Sequence, residues 1–166
     1  MSSFICQLHL DAQLVQSKKL SRANEKSAYY LKLAKLRLPS TIQQVEYSAA
    51  RNLSKQQLAT LTEGRYLQDS QNILITGATG CGKSYLACAL GHQACLLGHK
   101  TTYLNMNKLI DKVTLSELDG SIIKLLNHLK RQTLIILDDF GLQNLGQEVR
   151  LVVFNYLKIA MARKAL

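Results

Sequence analysis

Residues Ile73-Leu74-Ile75-Thr76-Gly77-Ala78-Thr79-Gly80-Cys81-Gly82-Lys83-Ser84 decide how this chain is to be read. An apolar run enters a glycine-rich turn, and a Lys-Ser pair opens a segment, Tyr85-Leu86-Ala87-Cys88-Ala89-Leu90, with good helix-forming residues. Gly77, Gly82, Lys83 and Ser84 satisfy the pattern G-x-x-x-x-G-K-[ST]. Glycines at such positions let the backbone approach an anion closely and point successive N–H groups at it. The helix that follows adds its unsatisfied N–H groups and the positive end of its dipole. The pattern therefore predicts a triphosphate cradle running from Gly77 through Ala78, Thr79, Gly80, Cys81, Gly82, Lys83 and Ser84 to Tyr85. In it Lys83 reaches the β- and γ-phosphates and the Ser84 hydroxyl holds Mg²⁺. The competing reading is a strand-to-helix turn that binds nothing, and the strand-like and helix-like flanks argue against it.

Outward from this stretch, Asn72 to Thr76 reads as a strand and Lys83 to about Leu97 as a helix closed by Gly98. Lys100 to Leu104 is rich in β-branched and aromatic residues and reads as a second strand. Asn105 or Asn107 caps a helix through Val113, and Ser121 to Lys130 forms another with Ile122, Leu125, Leu126 and Leu129 inward. Thr133 to Leu137 is an apolar strand, expected to be buried on both faces, that ends on Asp138-Asp139. Glu148 to Arg163 is a last helical segment. Strand alternating with helix implies a parallel sheet covered on both faces, an α/β fold of the P-loop NTPase kind. Ligands of such sheets bind at the carboxyl ends of the strands, where the paired acids fall. Asp138 is then the Mg²⁺ partner and Asp139 the group that polarises an attacking water. Alone, an Asp-Asp pair caps a strand end; the phosphate loop upstream gives it a metal to serve. No N-K-x-D guanine signature occurs, which disfavours a GTPase.

Before the core, Ser3 to about Leu38 is helical in pattern, with a small and apolar stripe of Leu20, Ala23, Ser27, Leu31, Ala34 and Leu38, stopped by Pro39. Lys18, Arg22 and Lys26 step by four along one face, either as a solvated surface or as a DNA-contacting row. Thr41 to Tyr47 connects, and Ser54-Lys55-Gln56-Gln57 opens a short helix through Leu61 in capping-box form, ended by Gly64. The chain holds 21 basic and 11 acidic residues, a net charge of +10, which suits a polyanion and nucleic acid before membrane. Ser17 to Leu38 alone carries Lys18, Lys19, Arg22, Lys26, Lys32, Lys35 and Arg37 against Glu25. Cys6, Cys81, Cys88 and Cys95 show neither metal-ligand nor disulfide spacing, and Cys88 and Cys95 read as buried thiols. No secretory signal and no run of about 18 apolar residues occurs, so a reduced, cytoplasmic setting is expected. The organisation expected is a basic helical region over residues 1–62 and a P-loop core over residues 63–166.

Gly77 to Ser84 followed by Ala87-x-Ala89-Leu90-Gly91-His92-Gln93-Ala94 resembles the IstB-like ATP-binding proteins, relatives of DnaC-type helicase loaders in the AAA+ class. Leu36-Arg37-Leu38-Pro39, Tyr103-Leu104-Asn105, Asp119-Gly120-Ser121 and Leu134 to Leu142 carry the same resemblance. It implies an ATP- and Mg²⁺-binding helper that assembles as a homo-oligomer on double-stranded DNA and assists a transposase. In that setting Lys83 and Asp139 are catalytic, and an arginine from a neighbouring subunit completes hydrolysis. The alternatives are a DnaC-like loader, a nucleotide-switched DNA-binding accessory with little turnover, and an inactive fragment. Asp139 stands where most of the wider class carry Glu, so slow turnover is expected. The resemblance places a further strand between the strand before the glycine loop and the strand ending on Asp138-Asp139, with only Lys164-Ala165-Leu166 to begin it, so both neighbours are expected to lack a hydrogen-bond partner and the core to be incomplete and truncated at the C-terminus.

Overall fold

The computed structural model describes residues 2–48, 53–140, 151 and 153–158, with side chains from residue 16 onward within those ranges. Helix α1 spans Ser2–Ala34, a 3-10 turn Ile42–Gln44, α2 Lys55–Glu63, α3 Arg65–Gln68 and α4 Lys83–Leu96. Strand β1 (Thr101–Asn105), helix α5 (Met106–Leu118), helix α6 (Ile122–Lys130) and strand β2 (Leu134–Asp138) follow. Residues 151 and 153–158 are helical, and the rest of the expected last helix, with Lys164 to Leu166, lies outside the described residues.

The strands pair in parallel, Thr101 opposite Leu134 and Asn105 opposite Asp138. Successive side chains point to opposite faces, and β2 shows the consequence. Ile136 meets α4 at Gly91 and Leu134 packs with Tyr66, Leu67 and Ala94. Ile135 and Leu137 face the other way, onto a cluster of Met106, Leu109, Val113, Leu129, Val153 and Leu157. Helices therefore cover both faces, as the alternation of elements predicts. Each fully buried Leu in that cluster contributes about 2 kcal/mol.

Helix α4 is central, and its composition follows from that position. It touches the sheet, α1, α2 and the 3-10 turn, so Cys88, Ala89, Gly91, Ala94 and Cys95 are buried and small. A Cβ on Gly91 would stand 2.6 Å from Ile136 Cδ1 and 3.0 Å from Leu36 Cδ2. Glycine lets the helix axis lie this close to β2 without displacing the ends of Ile136 and Leu36.

Local signals for the short elements hold. The Ser54 N–H donates to Gln57 Oε1 at 2.9 Å and Ser54 Oγ accepts from the Gln57 N–H at 3.1 Å, the reciprocal box expected. Gly64 then ends α2 in the left-handed region at φ 75°. Asn105 caps α5, accepting from the Asn107 and Lys108 N–H groups, and that helix runs past Val113 to Leu118.

Three expectations are corrected. Asn72 to Thr76 forms no strand: among the described residues no neighbour pairs with it, and Leu74 is 81% exposed. A strand is stabilised by its ladder, and sequence alone cannot supply the partner. Strand β2 is not buried throughout; Ile136 is buried and its neighbours are half-buried, because the sheet has two strands among the described residues. Helix α1 stops at Ala34, not Leu38, since Lys35 turns left-handed at φ 50°. Leu36 then lies against α4, and Ser40 Oγ donates to the Tyr85 carbonyl at 3.0 Å. Contact with α4 thus pulls the chain off the helix axis before Pro39 acts. The α1 stripe is buried only toward its end, at Ser27 and Ala34, while Leu20 and Ala23 are exposed.

Burial against α4 pushes the Tyr66 phenol up to about 12. A raised acid pKa contributes stability below the unfolded value of about 10, and that contribution is lost as pH climbs through the folded value. The urea midpoint is expected to fall between about pH 10 and 12, and Tyr66→Phe to flatten that decline.

Candidate functional site

The glycine loop folds with the positive φ values its pattern requires. Gly80 sits at φ 82° and Gly82 at φ 90°, the latter immediately before the first residue of α4. A side chain would strain either turn. Lys83 reaches back into the loop, its Nζ donating to the Gly77 carbonyl at 2.8 Å and the Ala78 carbonyl at 2.7 Å. Thr76 to Gly82 are exposed to solvent, Cys81 among them.

Period two along β2 places Asp138 on the same face as Ile136, toward α4. Ser84 lies seven residues before Gly91, two helical turns along the same side of α4. The close Gly91–Ile136 approach therefore brings Ser84 over the end of β2. Ser84 Oγ donates to Asp138 Oδ1 at 3.0 Å, joining residues 54 positions apart.

Asp138 holds further donors. Its Oδ1 accepts from the Asp139 N–H at 3.0 Å. Its Oδ2 accepts from the Tyr103 hydroxyl and from Arg37 Nη1 at 3.4 Å. Burial pulls this carboxyl up, but the bonds from Tyr103, Ser84 and the Asp139 N–H, with the Arg37 charge, outweigh it and leave the group below the ordinary carboxylate range. Burial and the bond to Asp138 push the Tyr103 phenol well up, so it stays a donor. Asp139 sits in the left-handed region at φ 58°, a conformation unusual outside glycine. Its Oδ2 accepts from Asn105 Nδ2 at 2.5 Å.

The predicted residues thus fall into two groups that meet. Gly77 to Tyr85 form the loop and first helical turn, and Ser84 joins them to Asp138 with Asp139 beside it. Three residues that the sequence did not assign to the site join it: Arg37, Tyr103 and Asn105. Tyr103 and Asn105 lie two apart at the carboxyl end of β1, so the strand-edge rule that located the acids would have found them once β1 and β2 were known to be neighbours. Arg37 lies 101 residues from Asp138, and nothing in the stretch Leu36 to Pro39 points to that carboxylate.

A cavity of about 390 Å³ opens beside the loop, walled by Val45, Leu53, Ile75 and Leu86 with Gln44 at its polar side. The Tyr85 hydroxyl donates to Gln44 Oε1 at 3.2 Å. Its volume suits a small ligand such as a base and sugar.

Ser84 and Asp138 fit Mg²⁺. Both present hard oxygen donors at 3.0 Å separation, and Mg²⁺ is typically held by one or two such protein groups plus phosphate oxygens. Among the described residues no three His, Cys, Asp or Glu side chains gather to hold a metal. The two oxygens would therefore share the ion with phosphates.

A glycine loop at a helix N-terminus, bonded to the carboxylate ending a parallel strand, defines a P-loop NTPase. The chain belongs to the IstB-like ATP binding protein family, whose match covers residues 3–166. It is 35% identical to a Pseudomonas fluorescens protein named as the ATP-binding protein of insertion sequence IS1162, over 72% of this chain and 52% of that one. It is 33% identical to the Sinorhizobium fredii insertion sequence ATP-binding protein y4pL, over 87% of this chain and 59% of the relative. The y4uH protein of the same organism is 36% identical over 80% and 53% respectively. The chain spans about half the length of these relatives.

Proposed function

We propose that this chain binds Mg²⁺–ATP and serves as a helper in DNA transposition, with nucleotide governing its assembly on double-stranded DNA and its engagement of a transposase. The observation that carries the nucleotide reading is the Ser84–Asp138 hydrogen bond, which joins the phosphate loop to the strand-end acid. In this reading the N–H groups from Ala78 to Tyr85 and the Lys83 ammonium bind the phosphates. Ser84 and Asp138 hold Mg²⁺, which would neutralise phosphate charge. The base lies in the cavity beside Tyr85, and Asp139, oriented by Asn105, polarises the attacking water. Lys83 leaves its two loop carbonyls for phosphate oxygens.

Support for the DNA partner comes from α1, where Lys18, Lys19, Arg22 and Lys26 are all exposed, and from the names of the relatives. Residues 1–62 are proposed as the DNA-facing region and residues 63–166 as the ATPase core, working as a homo-oligomer in the cytoplasm. Among the described residues no helix is long and apolar enough to cross a membrane. One observation favours a second reading, a nucleotide-switched accessory with little turnover. Asp139 is both a short acid and held by Asn105 at 2.5 Å, which restrains the group that must reach water.

Two measurements test the proposal. In a Cys6→Ser background, exposed Cys81 is expected to alkylate while buried Cys88 and Cys95 resist, and Mg²⁺–ATP is expected to slow Cys81 labelling at least about tenfold, the loop being covered by phosphate. Labelling unaffected by saturating nucleotide would refute the site. Duplex DNA affinity, followed by anisotropy between 50 and 200 mM salt, is expected to fall by roughly tenfold or more and to change with ATP. An affinity indifferent to ATP would remove the coupling.

A further inference from the structure

Arg37 lies outside the glycine loop and the paired acids, yet its charge lies against the carboxylate that would carry Mg²⁺. An ionised carboxylate has about four acceptor positions, and those of Asp138 are all taken. Oδ1 accepts from Ser84 and the Asp139 N–H, and Oδ2 from Tyr103 and Arg37. A metal approaching Asp138 must displace one donor.

The four donors are not equally held. Ser84 is the partner ligand, and the Asp139 N–H is fixed by the backbone. Tyr103 projects from β1, which is locked to β2 by the parallel ladder. Arg37 makes the longest of the four contacts, 3.4 Å, from a side chain 57% exposed, against 13% for Asp138. Water stands ready to receive the guanidinium, so Arg37 yields at least cost. Its backbone is meanwhile pinned by Leu36 on α4 and by Ser40 on the Tyr85 carbonyl, which keeps the side chain within reach.

We propose that Arg37 is a placeholder cation for the metal carboxylate: it occupies Asp138 until Mg²⁺–nucleotide arrives and so sets the magnesium concentration at which nucleotide is loaded. It is a positioning residue that acts through Asp138, and the inference rests on the Mg²⁺–ATP reading above. Displacement leaves a free cation three residues beyond the end of basic helix α1, so metal loading alters the charge presented beside that helix.

The test is a magnesium titration of the full chain with a fluorescent ATP analogue, read by anisotropy. Arg37→Ala is expected to lower the Mg²⁺ midpoint about twofold to fivefold, the range an exposed ion pair supports. Binding in excess chelator is expected to stay unchanged, which also reports that the variant is folded. Arg37→Lys is expected to return the midpoint toward that of the parent chain. A midpoint unchanged or raised in Arg37→Ala overturns the placeholder role, as does weakened binding without metal, which would make Arg37 a phosphate contact. If the parent chain binds no nucleotide, or Lys83→Ala binds as the parent does, the nucleotide reading itself fails and takes this inference with it.

Discussion

Lys83→Ala is expected to weaken Mg²⁺–ATP binding by roughly 100-fold, within the range for one member of a close charge pair. Lys83 performs two tasks that alanine cannot. Its ammonium sets a positive charge against the loop, and its bonds to the Gly77 and Ala78 carbonyls at 2.8 and 2.7 Å hold the loop in shape. Loss of the charge removes phosphate attraction, and loss of the bonds leaves two carbonyls facing the position of an anion. Isothermal calorimetry measures the affinity directly. The thermal midpoint is expected to change little, because the loop is exposed and makes few core contacts. Affinity within threefold of the parent chain would show that Gly77 to Ser84 is not the nucleotide site.

Gly91→Leu is expected to destabilise the fold by about 2 kcal/mol, an overpacking cost of up to about 3 kcal/mol less up to about 1 kcal/mol gained from better helix propensity. The added Cβ alone meets Ile136 Cδ1 at 2.6 Å, and Leu36 Cδ2 at 3.0 Å and Thr101 Cγ2 at 3.5 Å flank the route for the remaining atoms. Gly91→Ala is the informative control. The end of Ile136 can turn aside for one methyl, and the helix gains propensity, so that variant should unfold near the parent midpoint in urea. The consequence at a distance distinguishes the leucine variant from a simple core defect. Forcing α4 away from β2 carries Ser84 from Asp138, so the Mg²⁺ dependence of nucleotide binding should weaken in the fraction that remains folded. A leucine variant with unaltered magnesium dependence would show that the helix-to-strand spacing does not set the metal pair.

What the sequence made legible was whatever depends on a few neighbouring residues. The phosphate loop, the Ser54–Gln57 box, the Gly64 and Gly98 helix ends and the Asp138-Asp139 terminus each need only local spacing, and each stands where it was expected. Cys88 and Cys95 are buried, as their two-turn spacing among Leu and Ala implied. The misreadings share a cause. Ile73-Leu74-Ile75 has strand residues but no ladder among the described residues, because a ladder is a property of two segments. Likewise α1 ends at Ala34 through the docking of Leu36 and Ser40 on α4, contacts that α1 itself does not encode. The site shows the same division: Lys83, Ser84 and Asp138 were visible as motif members, whereas Tyr103 and Asn105 become site residues only when β1 lies beside β2, and Arg37 only when the segment after α1 docks on α4.

The run at Ile73 to Ile75, which pairs with no strand among the described residues, has a colloidal consequence as well. Ile73 and Leu74 are exposed, and their backbone keeps the capacity to pair with any edge offered, including that of another copy. Opposing this is the chain's charge of +10, whose repulsion holds copies apart in dilute buffer. Salt shortens the reach of that repulsion to about 8 Å at physiological ionic strength, while leaving the apolar run as adhesive as before. A duplex or other polyanion neutralises the same charge. On the proposed reading, the basic surface offered to a duplex is also the one that keeps the chain dispersed, so that assembly on DNA and self-association would be two outcomes of a single electrostatic balance.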